Sequence, residues 1–95
     1  MWSVYVIQHS SFGEIYIGAT NDLQKRLKKH NSQFNHGYSK RLDGKWRLVY
    51  VEIYRNKDDA FAREKRLKQH GSAKQGLMKR IQHSLLETKS EAGQG

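Results

Sequence analysis

Two short stretches near the N-terminus, in which the residue type alternates along the chain, constrain the fold most strongly. The first, WSVYVIQ, covers residues 2–8, and the second, EIYIG, covers residues 14–18. In each, alternate side chains point to opposite faces, which is typical of a β-strand. Only HSSFG separates the two stretches, so they are predicted to pair as a hairpin. A turn centred between Ser10 and Ser11 would place Tyr5 directly opposite Tyr16 on one face of the sheet.

The middle of the chain predicts one helix and one strand. Asn21 is a candidate N-cap, with Gln24 in the capping-box position three residues later. The helix is expected to run over residues 22–31, followed by a polar loop. WRLVYVEIY, residues 46–54, is rich in β-branched and aromatic side chains and predicts a third strand.

The C-terminal third predicts two further helices. Asn56 opens a helix with acidic residues in its first turn, and that helix is expected to end near His70 with Gly71 as its C′ residue. A third helix is expected over residues 72–86, and residues 87–95 are expected to form a frayed tail. The predicted fold is therefore α+β, a single domain over residues 1–86. Its three-stranded, mainly antiparallel sheet is flanked by helices in the order β-β-α-β-α-α.

The charge of the chain indicates a polyanionic partner. Among 95 residues there are 18 Lys and Arg against 9 Asp and Glu, a formal net charge of +9. Nucleic acid is the commonest polyanionic partner, although solubility or affinity for an acidic protein or membrane surface would also account for the charge. The sequence contains no cysteine and no apolar run long enough to span a bilayer. We therefore expect a cytoplasmic protein.

Three polar residues fall on helix faces that should be apolar. In the first predicted helix, Arg26 and His30 share a stripe with two leucines. In the second, Glu64 lies on the core-facing side. One interpretation is structural, with an Arg26–Glu64 ion pair between helices and His30 packed beside it. The other is catalytic: with Tyr5 and Tyr16, these groups could bind a phosphate, a hard cation and an attacking water.

The same residues resemble a known signature. Ser3-Val4-Tyr5 and Tyr16-Ile17-Gly18 are similar to the paired motifs of the GIY-YIG nuclease family, with Ser3 in place of the first glycine. Arg26 and His30 resemble the catalytic helix of that family, and AFAREKRLK, residues 60–68, resembles its metal-binding helix. The resemblance is greatest to the small stand-alone bacterial members.

The resemblance implies one-metal hydrolysis of a nucleic-acid phosphodiester. On this basis Tyr5 would activate or orient the attacking water, Tyr16 and His30 would support it, and Arg26 would stabilise charge on the phosphate. Glu64 would bind one Mg²⁺ or Mn²⁺ ion. Free tyrosine titrates near pH ~10, so His30 is a rival for the general base.

Weaker signals lie in the polar loop. Tyr38 matches a region that often contacts substrate, and Lys40 or Arg41 could meet phosphate, although a solvated basic loop is the slightly preferred explanation. The leading hypothesis is a metal-dependent DNA endonuclease in DNA repair or recombination, with structure-directed or low sequence specificity. Its DNA substrate could be branched, damaged or single-stranded, and a repair-complex protein could be a partner. The alternatives are a non-catalytic nucleic-acid-binding module and an accessory domain of a repair complex.

Overall fold

Three antiparallel strands and three helices make up the described part of the chain. A computed structural model describes residues 1–11, 13–37 and 44–86, with the backbone alone for 33–37. The elements are β1 (Trp2–His9), β2 (Ile15–Thr20), α1 (Leu23–Gly37), β3 (Trp46–Tyr54), α2 (Lys57–Gln69) and α3 (Gly71–Arg80). The predicted α+β class and the order β-β-α-β-α-α are both confirmed. Among the described helices, none is long and apolar enough to cross a bilayer.

The sheet has the strand order β2-β1-β3, with both pairings antiparallel. The predicted hairpin is present, but its register differs by two residues from the prediction. Tyr5 lies opposite Gly18, and Tyr16 lies opposite Ile7. The expected Tyr5–Tyr16 pair was wrong because the turn is centred further along the chain, with Gly13 at a φ of 79°. A shift by an even number of residues keeps both tyrosines on one face.

Helices cover both faces of the sheet, so the central strand β1 is buried on both sides. Tyr5 and Ile7 face α1 and pack with Trp46, Leu23 and Leu27. The opposite face packs against α2 and α3 in a larger cluster of buried residues: Val4, Val6, Ile17, Ala19, Ala60, Leu67, Leu77 and Ile81. The two clusters place the tyrosines between the sheet and α1.

Helix α1 is longer than predicted and is capped by a different residue. The Asp22 carboxylate accepts a hydrogen bond from the Lys25 N–H at 3.1 Å, so Asp22 rather than Asn21 is the cap. No proline or glycine occurs between Asp22 and Gly37, so no helix breaker ends α1 at the predicted position. Asn31 exchanges hydrogen bonds with the backbone of Trp46, at 2.8 and 3.3 Å, and fixes α1 against β3.

Helix α2 begins as predicted, with the Asn56 side chain accepting from the Asp58 N–H at 2.7 Å. It ends at Gln69, close to the predicted end near His70. Gly71, expected as the C′ residue, is the first residue of α3, and His70 lies between the two helices. Helix α3 ends at Arg80, six residues before the predicted end at 86, and turns follow. The predicted tail, residues 87–95, lies outside the described residues.

An ion pair on the larger cluster's side attaches α2 to β3. Two nitrogens of Arg63 donate to the Glu52 carboxylate, with the shortest distances 3.0 Å. The hydroxyls of Tyr50 and Tyr54 also donate to it, each at 2.6 Å. Burial opposes the charge, but the hydrogen bonds from Arg63 and the tyrosines lower the pKa of Glu52 overall. The network holds α2, which carries Glu64, in a fixed position on the sheet.

Candidate active site

A buried hydrogen bond between β1 and α1 lies at the centre of the candidate site. The Tyr5 hydroxyl and His30 Nε2 are 3.0 Å apart, and the two residues are separated by 25 positions in the chain. Tyr5 is 0 % exposed and His30 is 6 % exposed. A tyrosine on a strand and a histidine on the covering helix thus form one polar pair inside an otherwise apolar layer.

Gly18 provides the space that the Tyr5 ring occupies. The two residues are opposite each other in the β1–β2 ladder. A Cβ atom at Gly18 would lie 2.6 Å from Tyr5 Cζ and would also overlap the hydroxyl oxygen. The glycine of the Tyr16-Ile17-Gly18 motif is therefore required by close packing, and it lets the ring lie flat across β2.

Tyr16 joins the pair from the edge strand β2. Its ring centroid lies 4.6 Å from that of His30 and 6.3 Å from that of Tyr5. Trp46 closes the group on the β3 side, 6.4 Å from His30 and 6.5 Å from Tyr16. Tyr16 is only half-buried, so it is the member of this aromatic group that faces the surface.

Burial keeps both members of the central pair neutral at neutral pH. Burial, assisted by the nearby Tyr16, raises the pKa of Tyr5 to about 12, although the charge and hydrogen bonding of Arg26 oppose the rise. Burial also lowers the pKa of His30, and the charges of Arg26 and Lys29 lower it further. The imidazole is therefore a neutral group that can accept a proton, whereas the phenol holds its own proton strongly.

Glu64 pairs with a lysine of its own helix. Lys68 Nζ lies 2.8 Å from Glu64 Oε2 at the favourable i, i+4 spacing. The same ammonium lies 5.4 Å from the centroid of the Tyr16 ring. Since α2 packs on the opposite face from Tyr16, Lys68 reaches around the β2 edge of the sheet. The ion pairs among the described residues are Arg63–Glu52 and Lys68–Glu64, so the Arg26–Glu64 pair of the structural interpretation is not observed there.

The donor chemistry at this edge fits a hard divalent cation better than a transition metal. No group of three or more His, Cys, Asp or Glu side chains gathers among the described residues. Glu64 contributes a single carboxylate whose side chain is 21 % exposed. Mg²⁺ commonly binds one or two protein carboxylates together with waters and substrate phosphates. Glu64 could hold such an ion jointly with a bound phosphate, in competition with Lys68.

Five of the predicted site residues come together at the β2 edge of the sheet. Tyr5, Tyr16, Arg26 and His30 interact directly or through charge. Glu64 is connected to Tyr16 through Lys68 and contributes to the charge around Tyr5. The predicted substrate contacts Tyr38, Lys40 and Arg41 lie outside the described residues.

Sequence reasoning missed three contributors to this region. Lys68 was given no role of its own, although its i, i+4 spacing from Glu64 could have indicated the pair. Trp46 was predicted only as the first residue of the third strand, and it is both buried and part of the aromatic group. The packing role of Gly18 depends on the strand register. The register predicted from the sequence placed Tyr16, not Gly18, opposite Tyr5.

The family follows from a comparison over most of the chain. Residues 1–79 match the GIY-YIG catalytic domain. The chain therefore belongs to the GIY-YIG family, which is a family of endonucleases. The resemblance inferred from Tyr5, Tyr16, Arg26, His30 and Glu64 is thereby confirmed at the level of the family. No solved structure gives a significant match.

Several bacterial relatives share one name. A UPF0213 protein of Clostridium perfringens is 44 % identical over 50 residues, covering 53 % of each chain. One of Desulfotalea psychrophila is 34 % identical, over 72 % of this chain and 61 % of the relative. One of Staphylococcus aureus is 35 % identical, over 68 % of this chain and 77 % of the relative. The chain thus matches between about half and three fifths of the length of the first two relatives.

Proposed function

We propose that the protein is a divalent-metal-dependent endonuclease that hydrolyses DNA phosphodiester bonds. The observation that carries the proposal is the 3.0 Å Tyr5–His30 pair beside Arg26, at the edge where Glu64 and Lys68 meet Tyr16. Membership of an endonuclease family and a net charge of +9 support the same reaction and a polyanionic substrate.

Arg26 is proposed to hold the scissile phosphate. Its guanidinium is half-buried on α1, near enough to Tyr5 and His30 to shift the pKa of each. A guanidinium can donate two parallel hydrogen bonds to phosphate oxygens and stays charged at any physiological pH. Arg26 would therefore place the phosphorus next to the proton-accepting pair and stabilise the charge that develops in the transition state.

Glu64 is proposed to hold one Mg²⁺ or Mn²⁺ ion together with the substrate. When bound, the ion would supply Lewis-acid activation of the phosphate and charge stabilisation of the leaving oxygen. In the free protein, Lys68 neutralises the Glu64 carboxylate at 2.8 Å. Substrate binding gives Lys68 an alternative partner in a phosphate oxygen, which would free the carboxylate for the ion.

The Tyr5–His30 pair is proposed to take the proton of the attacking water. Tyr5 would accept that proton while its own hydroxyl proton moves to His30 Nε2, leaving an imidazolium and a neutral phenol. This relay avoids a free phenolate, which the pKa of Tyr5 at about 12 disfavours. Because Tyr5 is 0 % exposed, the pair can meet a water only after the surface of the site rearranges around the substrate.

The proposal also covers the kind of DNA that is cut and the process in which it is cut. No motif in the chain reads a base sequence, so recognition is proposed to be structure-directed or of low sequence specificity. Branched, damaged or single-stranded DNA met in repair or recombination would suit such an enzyme. A repair-complex partner and a cytoplasmic location remain predictions from the sequence. The alternative is a non-catalytic binding module. Two observations support it: Tyr5 is completely buried, and the Glu64 carboxylate is paired with Lys68.

Cleavage assays separate the two functions. Plasmid, forked and single-stranded DNA would be incubated with and without Mg²⁺ or Mn²⁺, using wild type, Glu64→Gln and Arg26→Ala. Glu14→Gln is the matched carboxylate control, because Glu14 is exposed before β2 and outside the site. We expect metal-dependent cleavage by wild type and Glu14→Gln. The two site variants should lose on the order of a hundredfold or more, as for other positioned charge-stabilising groups.

Two results would contradict this proposal. Cleavage that persists in Glu64→Gln or in EDTA would remove the metal from the mechanism. DNA binding by wild type without cleavage of any substrate under any metal condition would favour the binding module. Circular dichroism of each variant shows whether lost activity reflects lost folding.

A further inference from the structure

Two aromatic rings and a lysine form a partly exposed cluster that the proposed chemistry does not use. The rings of Trp2 and Phe61 meet edge to face, with centroids 5.3 Å apart and an interplanar angle of 69°. Lys57 Nζ lies 5.6 Å from each ring centroid. Phe61 remains 40 % exposed, so part of its ring surface is open to a ligand.

This cluster lies on the same line of α2 as the candidate metal ligand. Lys57, Phe61, Glu64 and Lys68 are separated by four, three and four residues, which aligns them along one side of the helix. Ala60 and Leu67, on the neighbouring side, are buried in the core at 0 % and 1 % exposure. The line therefore runs along the flank of α2, between the core and the solvent.

The spacing along that flank is short enough for adjacent nucleotides of one strand to span. Phe61 precedes Glu64 by three residues, about 4.5 Å along the helix axis. A strand with its scissile phosphate at Glu64 and Lys68 would then bring a neighbouring nucleotide to Phe61. A base can stack on an exposed aromatic ring, and Lys57 can turn from the rings to the adjacent phosphate.

We propose that Trp2, Phe61 and Lys57 form a binding subsite for one unpaired base of the DNA strand being cut. This inference rests on the proposed function and adds a substrate preference to it. In duplex DNA the faces of each base are covered by its neighbours, so a base can stack on Phe61 only where the strand is unpaired. The subsite therefore selects single-stranded or forked DNA over an intact duplex.

Binding measurements without cleavage test the subsite directly. Fluorescence anisotropy in EDTA would compare a labelled oligodeoxythymidine with a labelled duplex of equal length. Phe61→Ala should weaken binding to the single strand by roughly five- to fiftyfold, as expected for loss of one stacked base, and binding to duplex by less than about twofold. Phe61→Leu keeps the apolar packing against Trp2 and should show most of the same loss.

A matched control excludes a general effect of exposed apolar surface. Leu48, on β3, is 39 % exposed against 40 % for Phe61. Leu48→Ala should leave binding to both oligonucleotides within about twofold of wild type, since it removes no stacking platform. Lys57→Ala should reduce the slope of log affinity against log salt for the single strand by about 1, as for the loss of one phosphate contact. Lys74→Ala, on α3, is the control and should leave that slope unchanged.

Tryptophan fluorescence gives a second readout. The chain contains two tryptophans, and Trp46 is buried at 8 % exposure. Oligodeoxythymidine should quench the emission of wild type, and Trp2→Phe should abolish the quenching while keeping most of the affinity, because phenylalanine can still stack. Quenching that is undiminished in Trp2→Phe would overturn the assignment of Trp2.

The failures of the subsite and of the proposed function are distinguishable. If both Phe61 variants bind the single strand as wild type does, and wild type cuts DNA, the subsite is wrong and the nuclease stands. Equal losses on single strand and duplex would also overturn the subsite. A folded wild type that neither binds nor cuts any DNA would overturn both.

Discussion

At the scale of single residues, Gly18 is closely packed against the candidate site. Its backbone lies under the Tyr5 ring, and the same ring is hydrogen-bonded to His30 on the other side. A side chain at position 18 would push the phenol toward α1 and disturb that bond. The glycine thus sets the position of a proposed proton-transfer group without taking part in the chemistry.

We expect Gly18→Ala to destabilise the protein by about 1–3 kcal/mol, as for overpacking of a buried site. Urea denaturation measures this loss. Gly76→Ala on α3 is the matched control, since a Cβ atom at that position would have no neighbouring atom within 4 Å and alanine favours a helix. It should stabilise the protein by about 0.5–1 kcal/mol. Equal stability of both variants would refute the packing role of Gly18.

The pH dependence of stability reports on His30. Burial lowers its folded pKa below the ordinary 6.5, so the unfolded chain binds the proton more tightly. The stabilisation by neutral His30 is therefore complete above about pH 6.5 and is lost as the pH falls toward the folded pKa. We expect the free energy of unfolding of wild type to decline below about pH 6.5, and that of His30→Gln to decline less.

The same titration should limit catalysis. If His30 accepts the proton, the cleavage rate should fall at acid pH and reach a plateau near neutrality. His30→Gln should reduce the rate by about a hundredfold or more across that range. If the rate instead rises steadily toward alkaline pH, a Tyr5 phenolate would be the base.

Lys68 should compete with the metal for Glu64. Lys68→Ala removes the 2.8 Å partner of the carboxylate, so the DNA-free protein should bind Mn²⁺ more tightly. Since Lys68 is 45 % exposed, we expect a modest gain, up to about fivefold. Titration calorimetry measures the affinity, and Lys65→Ala, an exposed lysine on the same helix, is the control. Identical affinities in the two variants would show that the ion pair does not oppose metal binding.

At the scale of secondary structure, the start of α1 determines how Arg26 and His30 are presented. The Asp22 carboxylate accepts from the Lys25 N–H, and the Thr20 hydroxyl accepts from the Asp22 N–H at 3.1 Å. The end of β2 and the first turn of α1 are thus joined directly. Neither contact involves the side chain of Asn21, the cap that the sequence suggested.

We expect Asp22→Ala to cost about 1 kcal/mol of stability, as for the loss of an N-cap. Asn21→Ala, one position earlier, should change stability by less than about 0.5 kcal/mol, as for an ordinary surface position. Thermal unfolding of the two variants side by side decides between the caps. A larger loss in Asn21→Ala would favour the capping box inferred from the sequence.

For the molecule as a whole, the proposed affinity for nucleic acid should depend on the net charge. The net charge of +9 is spread over a chain of 95 residues, and every Lys and Arg follows residue 24. If about five phosphates are contacted, the logarithm of the duplex affinity should fall against the logarithm of salt concentration with a slope near −4 to −5. Anisotropy titrations over a range of KCl concentrations measure it. A slope near zero would contradict binding through the phosphate backbone.

Local patterns in the sequence were enough to predict the element order, the strand β3 and the cap of α2. These features depend on neighbouring residues: alternation of apolar side chains, β-branched content, and a side chain that can accept a nearby backbone N–H. The same patterns placed Tyr5 and Tyr16 on one face, because a strand alternates with a period of two and an even register shift leaves the face unchanged.

The remaining features depend on contacts between distant parts of the chain, which only the folded structure reveals. The length of the hairpin turn set the register, which placed Gly18 rather than Tyr16 beside Tyr5. Packing of α1 on β1 created the Tyr5–His30 bond across 25 positions. The folded chain also shows that the partner of Glu64 is Lys68, at 2.8 Å. Helical spacing placed each of these groups on a face, but only the packed chain determined which groups meet.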